Sequence, residues 1–315
     1  MLARGMYIGT MATMLRIGSM VIVAALLLSA PPAGAIHELP AINPTPGAEF
    51  RQLNERLFEA AENGRTHDVA ELLELGASVE ARDRFGNTAL LLAARMGKAK
   101  TVRLLLAAGS AVNHLNLLGS SALLRAATAG GYASLKALLA AGAVINHTNN
   151  KGLTPFIAAA FNGDERMLEL LFENGADHAK IDNYGKSAVV YAAARGFTAI
   201  VAMLLDRGID VNGRYGNDLT ALMWAAGYSN DVPPKDGQAT VRLLIERGAD
   251  VVARDNRGWT ALTTAAYRNH PKVIEQLLTA GADPAPMDGQ GRTALAIARA
   301  KGSMAAADLL AARGG

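Results

Sequence analysis

The chain has 315 residues, half of them apolar and 5% aromatic, with 32 glycines, a formal net charge of +3 and no cysteine. The absence of a thiol excludes disulfides, thiolate metal sites, cysteine nucleophiles and a lipidated cysteine at a leader cleavage point. Without Arg4 and Arg16, which lie in a leader expected to be removed, 29 basic residues face 28 acidic ones, and a body so near neutrality with no basic run predicts no nucleic-acid partner.

Residues 1–35 contain no acidic side chain, place Arg4 and Arg16 ahead of the apolar run IGSMVIVAALLLSA from Ile17 to Ala30, and end in Ala33-Gly34-Ala35. This is the layout of a secretory signal peptide cut between Ala35 and Ile36. The run of 14 residues is short for a bilayer-spanning helix, which needs roughly 20, and Pro31-Pro32 would break its continuation. No stable membrane insertion is expected after cleavage, and the location expected for a bacterial source is periplasmic or secreted. A retained N-terminal membrane anchor is the alternative, and translation could begin at Met14 instead of Met1. Residues 36–48, IHELPAINPTPGA, carry Pro40, Pro44 and Pro46 and predict an extended linker, with helix resuming at Glu49.

From there one phrase repeats, most cleanly as DNRGWTALTTAAYRNHPKVIEQLLTAGAD from Asp255 to Asp283. Its small hydroxyl residue recurs as Thr88, Ser121, Thr154, Ser187, Thr220, Thr260 and Thr293, at intervals of 33, 33, 33, 33, 40 and 33. Glycines keep the same beat at 76, 109, 142, 175, 208, 248, 281 and 314. Eight units result, about 51–82, 83–115, 116–148, 149–181, 182–214, 215–254, 255–287 and 288–315. A fixed period of this length marks a stack of small units, and one elongated array replaces the two domains that length alone suggests.

Each unit has a physical reading. Asp83-Arg84-Phe85-Gly86-Asn87-Thr88 is a glycine-containing turn followed by a hydroxyl placed to cap a helix. A short alanine-rich helix follows from Ala89 to Arg95, Met96-Gly97 stops it, and a second helix from Lys100 to Ala107 turns Leu104-Leu105 inward before Gly109. Neither helix buries its apolar face alone, so the units are stable only as an array.

The period, the Gly-x-Thr turn, the Ala-Ala centre of the first helix and the Leu-Leu-x-x-Gly-Ala-Asp end of the second make residues 51–314 resemble the ankyrin repeat family. The resemblance implies an all-α solenoid of about eight stacked helix-turn-helix repeats with short β-turn tips. The family's Thr-Pro-Leu-His tetrapeptide appears as Thr88-Ala89-Leu90-Leu91 or Thr154-Pro155-Phe156-Ile157, never with its histidine. That histidine bonds within and between repeats in the family, so its loss predicts greater reliance on apolar packing. The interval of 40 places seven extra residues in the sixth repeat, within 228–238 (YSNDVPPKDGQ), where Pro233-Pro234 and Asp236-Gly237 predict a loop between the two helices. Asp218 stands where the other turns have glycine.

Chemistry is sparse. His114 and His147 lie one repeat apart and are expected on adjacent turns as solvated side chains, since no further metal ligands accompany them. There is no Gly-x-Ser-x-Gly elbow, His-Glu-x-x-His or phosphate loop. Asp83, Asp182, Asp255 and Asp288 recur at one turn position, which points to turn hydrogen bonding and not to paired acid and base. No catalytic residue, metal or cofactor is expected.

In arrays of this family the turn tips and the outward side of the first helix form a concave binding face. Carried over by position, the candidates are Arg84, Phe85, Asn87, Arg95 and Met96, then Leu117 and Leu118, Phe161 and Asn162, Tyr184 and Arg195, Tyr228, and finally Trp259, Tyr267 and Arg268. The cluster of Tyr228, Trp259, Tyr267 and Arg268 beside the insertion is the richest in side chains that dominate interfaces, while Trp224 is assigned to packing. The function implied is non-catalytic binding of a protein partner. An inhibitor or effector acting on one enzyme or host protein is an alternative use of the same face, and a metal-binding protein or hydrolase using the third and fourth turns is an alternative of another class.

Overall fold

Repeats two to eight fold as two short helices because an alanine-rich run headed by a small hydroxyl residue alternates with a leucine-rich one, and in all but the sixth a residue of positive φ breaks the chain between them. The computed structural model describes residues 47–314. The signal peptide expected over 1–35 lies outside these residues, as does the linker expected over 36–48 apart from Gly47 and Ala48, and Ala48 already opens the first helix.

Sixteen helices form eight pairs among the described residues. The first four pairs are α1 (Ala48–Asn63) with α2 (Thr66–Glu74), α3 (Ala89–Arg95) with α4 (Ala99–Ala107), α5 (Ala122–Thr128) with α6 (Tyr132–Ala140), and α7 (Pro155–Asn162) with α8 (Glu165–Glu173). The last four are α9 (Ala188–Ala194) with α10 (Thr198–Asp206), α11 (Ala221–Ala226) with α12 (Pro234–Glu246), α13 (Ala261–Arg268) with α14 (Pro271–Thr279), and α15 (Ala294–Lys301) with α16 (Met304–Ala312). Each first helix packs on its own second helix and on the first helices before and after it. Alanine permits that approach: Ala93-Ala94, Ala126-Ala127, Ala159-Ala160, Ala192-Ala193, Ala225-Ala226 and Ala265-Ala266 are wholly buried. Leucines from the second helices, such as Leu105, Leu138 and Leu171, fill the layer between. No strand forms among the described residues, and two isolated antiparallel bridges join Ile181 to Ser187 and Tyr215 to Leu219.

The capping hydroxyls work as expected at six of the seven sites. Thr88, Ser121, Thr154, Thr220, Thr260 and Thr293 each accept the backbone N–H three residues on, at 3.1–3.4 Å. The exception is Ser187, whose Oγ is buried with no partner.

The turns carry the regular polar bonding. One side-chain oxygen of Asp83, Asn116, Asn149, Asp182, Asp255 and Asp288 accepts the N–H groups two and four residues on. Successive turns then bond backbone to backbone: Leu117 N–H to Phe85 C=O at 3.0 Å, Asn150 to Leu118 at 3.0 Å, Asn183 to Lys151 at 3.0 Å, and Gly289 to Arg257 at 2.9 Å. At the other end of the repeat, Asn113, Asn146 and Asn212 each accept a backbone N–H from the next repeat, at 2.7–2.8 Å. Polar bonds between repeats therefore persist without the Thr-Pro-Leu-His histidine, at other positions. His114 and His147 add bonds within a repeat: their Nε2–H groups donate to Gly86 and Gly119 in the turn that opens the same unit, at 2.8 and 3.0 Å. They are half-buried and tie the end of each repeat back to its own turn, and are not solvated side chains as expected.

The sixth repeat departs twice. Tyr215 stands where the other turns have Asp or Asn, so the two-fold side-chain acceptor is lost; Asn217 and Asp218 take positive φ of 64° and 61°, and Gly216 N–H bonds to Gly185 C=O at 2.8 Å, one residue along from the regular partner. The inserted residues also differ from the expected loop. Pro234 occupies the first turn of α12, where a proline lacks nothing the helix needs, so α12 has 13 residues where α4, α6, α8, α10, α14 and α16 have nine. Only 227–233 remains as a loop.

Two outcomes test this packing. Leu138→Ala, at a site with no solvent exposure, is expected to lower stability by ~2–5 kcal/mol in urea unfolding. Gly237→Ala adds a good helix former inside α12, worth about 1 kcal/mol in isolation, yet its Cβ would run into the Tyr228 ring. Overpacking costs ~1–3 kcal/mol, and because the ring is 5% exposed and stacked on His270 the substitution is expected to destabilise.

Candidate functional site

The face built by the turns and first helices gathers aromatic rings and cations in two groups. In repeats four to six, Phe161 meets Tyr191 edge to face at 5.5 Å between centroids, and the Arg195 guanidinium lies 4.7 Å above Phe161. The Lys186 ammonium lies 4.6 Å from the Trp224 ring centre and 5.4 Å from that of Tyr191. Burial lowers the Lys186 pKa while Asp182 pulls it the other way. Burial, and then the hydrogen bond its hydroxyl donates to Asp182 Oδ2, push Tyr191 well above the ordinary phenol value.

In repeats seven and eight, Arg257 covers Trp259 at 4.2 Å and Trp259 packs on Tyr267 at 5.4 Å. Lys301 lies 4.8 Å from the Tyr267 ring centre and Arg268 6.0 Å. The Trp259 indole N–H donates to Asp288 Oδ2 at 3.1 Å. Burial alone would raise the Asp288 pKa, but Arg292, the backbone N–H groups of Arg292 and Gln290, and Trp259 together hold it well below the usual carboxylate range. That side chain is 2% exposed.

The candidates divide accordingly. Phe85, Met96, Leu118, Phe161 and Tyr184 are exposed, and Arg268 is too. Arg195, Tyr267 and Trp259 are half-buried within the two groups, and Arg95 is half-exposed but paired with Glu62 of the repeat before. Trp259 is thus a staple between the seventh and eighth repeats as well as a surface group, so its truncation touches stability and not binding alone. Asn162 points at the preceding repeat, donating to Ala127 C=O and Thr128 C=O. Asn87 is withdrawn from the surface: it is buried, bridging Asp83 Oδ2 and the Asn116 amide.

Tyr228 is also corrected. It is 5% exposed, stacked on His270 at 3.9 Å and 12°, and seated against the Gly237 backbone. The extended α12 brings Gly237 over a position that in the second repeat holds the exposed Met96. His270 itself donates to Ala226 C=O at 3.1 Å, and burial lowers its pKa.

Sequence reasoning passed over Arg125, Lys186 and Tyr191 and left Trp224 to the interior. Trp224 does rest on the core, yet it is half-buried beneath Lys186 on the same face. The signal was available in register: four residues past the capping hydroxyl stand Leu92, Arg125, Ala158, Tyr191, Trp224, Thr264 and Ile297, chemically unlike one another where their neighbours repeat.

No group of three or more His, Asp or Glu converges on a metal-sized point among the described residues. The open groove between α12 and α14 lies on the second helices, where Arg242, Glu246, Lys272 and Glu275 mix both signs of charge. No described helix is long and apolar enough to cross a membrane. In comparisons with known proteins, the family model described as ankyrin repeats (3 copies) matches in overlapping stretches at 57–149, 123–215, 156–255, 213–288 and 235–315. No curated protein matches the chain significantly.

Trp259→Phe removes the N–H to Asp288 together with part of the ring that packs on Tyr267 and under Arg257, and is expected to cost at least ~1 kcal/mol at neutral pH, read by circular dichroism in urea. The Asp288 pKa is depressed in the folded state, so its contribution is present above the ordinary aspartate value of about 3.9 and is lost as pH falls below it. Arg292 and the turn N–H groups still hold the carboxylate low in the variant, so the gap between the two proteins is expected to persist below the ordinary aspartate value and to close only as pH falls through the folded-state pKa.

Proposed function

The chain belongs to the ankyrin repeat family, and on that premise we propose that it is an exported, non-catalytic module that holds a protein partner across the face of its turns and first helices. Ankyrin repeats generally mediate protein–protein interaction and are typically non-catalytic. The observation that carries the finer reading is the sorting of exposed and half-exposed aromatic and cationic side chains onto one face. Eight of the ten ring-to-cation contacts among the described residues include a residue of a turn or a first helix. Such side chains dominate binding energy when a partner covers them, and here they are ordered before any partner arrives, which lowers the entropy cost of association.

Export rests on the leader: Arg4, Arg16, the apolar run and Ala33-Gly34-Ala35 support a periplasmic or secreted protein, and a mature N-terminus at Ile36 would distinguish cleavage from a retained anchor. The binding reading is tested by capture of partners with the full-length chain and with Phe161→Ala/Arg195→Ala. The double variant is expected to weaken capture by ~2 kcal/mol or more while shifting the unfolding midpoint less than Leu138→Ala does. Undiminished capture, together with its loss on changing exposed Arg103 of α4, would move the interface to the second helices.

A further inference from the structure

The near-neutral total conceals a separation of charge. The seven turn-and-first-helix segments, 83–97, 116–130, 149–163, 182–196, 215–230, 255–270 and 288–302, contain eleven Lys and Arg, five Asp and no Glu. The rest of the described chain contains 18 basic and 22 acidic residues. Asp83, Asp182, Asp255 and Asp288 give an oxygen to two turn N–H groups each, so four of the five carboxylates serve the turns, and the face presents cations.

A second observation is independent of charge. Among the described residues, three side-chain nitrogens are shielded from solvent with no acceptor: Arg125 Nε, Arg195 Nε and Trp224 Nε1. All three belong to first helices or their ends in repeats three, five and six. Shielded donors left unpaired are costly, and native proteins seldom keep them without a reason. Beside them the half-buried Lys186 ammonium stacks on Trp224 while both oxygens of nearby Asp182 are engaged, by Tyr191 and by the turn. This region has donors to spare and few free acceptors.

We propose that the segment held on this face is an acidic, extended stretch of protein, with carboxylates meeting Arg125, Lys186 and Arg195 and apolar side chains between them on Phe161 and Tyr191. The inference rests on the protein-binding reading above and adds the chemistry of the partner. The apolar rings between the cations favour a polypeptide, which can offer apolar side chains between its carboxylates. Neighbouring packed helices lie ~8–10 Å apart, so the two repeats from Arg125 to Lys186 and Arg195 match about six residues of an extended chain in the polyproline II form, whose side chains return to one side every three residues at ~3.1 Å each.

The test uses fluorescence anisotropy with the full-length chain and three labelled probes: a twelve-residue peptide repeating Glu-Phe-Ala, its Lys-Phe-Ala counterpart, and a twelve-nucleotide oligothymidine. The glutamate peptide is expected to bind, to weaken as salt rises, and to lose at least tenfold in affinity with Lys186→Gln/Arg195→Gln. Arg103→Gln/Lys136→Gln, on exposed parts of α4 and α6, is expected to leave its affinity unchanged, with circular dichroism showing that both variants keep their helix content. Equal or tighter binding of the lysine peptide overturns the proposal, as does insensitivity to Lys186 and Arg195. Tighter oligothymidine binding with the same sensitivity overturns it in favour of a polyphosphate surface. If no probe binds while partner capture still depends on Phe161 and Arg195, the acidic chemistry fails and the protein-binding reading stands; if both fail, so does that reading.

Discussion

A side-chain oxygen at the head of each turn, accepting two backbone N–H groups, is the contact on which the rest of the array is arranged. It fixes the tip, and the fixed tip can then bond backbone to backbone with the next one. It also sets the strand-like entry to the capping hydroxyl, so the first helix starts at the same height in every repeat. Where the oxygen comes from aspartate, the contact has an electrostatic by-product. The carboxylate that shapes the turn is drawn into it, its second oxygen pairing with Arg257 at Asp255 and with Arg292 at Asp288, while Arg125, Lys186 and Arg195 join none of the salt bridges among the described residues. Fold and charge asymmetry thus share one cause.

The sixth repeat shows what happens when that contact is missing. Tyr215 cannot accept two N–H groups, and the turn is rebuilt with Asn217 and Asp218 in a left-handed conformation that costs about 1 kcal/mol or more for residues other than glycine. The same repeat holds the long α12, whose Gly237 and the stacked pair Tyr228 and His270 lock the second helix to the first helix beside it. The irregular turn is accompanied by an additional buried aromatic contact, which keeps the array continuous across its least regular unit.

The fold was legible because a solenoid writes its geometry as spacing. The hydroxyls from Thr88 to Thr293 and the glycines from 76 to 314 mark helix starts and stops without reference to distant contacts. The exposed tips Phe85, Leu118 and Tyr184 were legible for the same reason, since register alone places them. What spacing could not show was contact across the insertion: Pro233-Pro234 reads as loop, yet Pro234 opens a helix, and the glycine three residues on makes room for a tyrosine that register would have left outside. Nor could it show orientation. Whole-chain charge is near zero whether cations are scattered or sorted, and the aspartates, Arg125 and Lys186 become meaningful only once it is known which way each carboxylate turns.

The bond between turn tips has a last consequence. Phe85, Leu118, Lys151 and Arg257 join the following repeat through their carbonyl oxygens, while their side chains leave the backbone on the open side. Cohesion runs through the one group every residue possesses, and address through the group in which residues differ. The tips can be rewritten one by one, phenylalanine to lysine or leucine to arginine, without unpicking the seam that holds neighbours together. Such a scaffold can change its correspondent faster than it changes its shape.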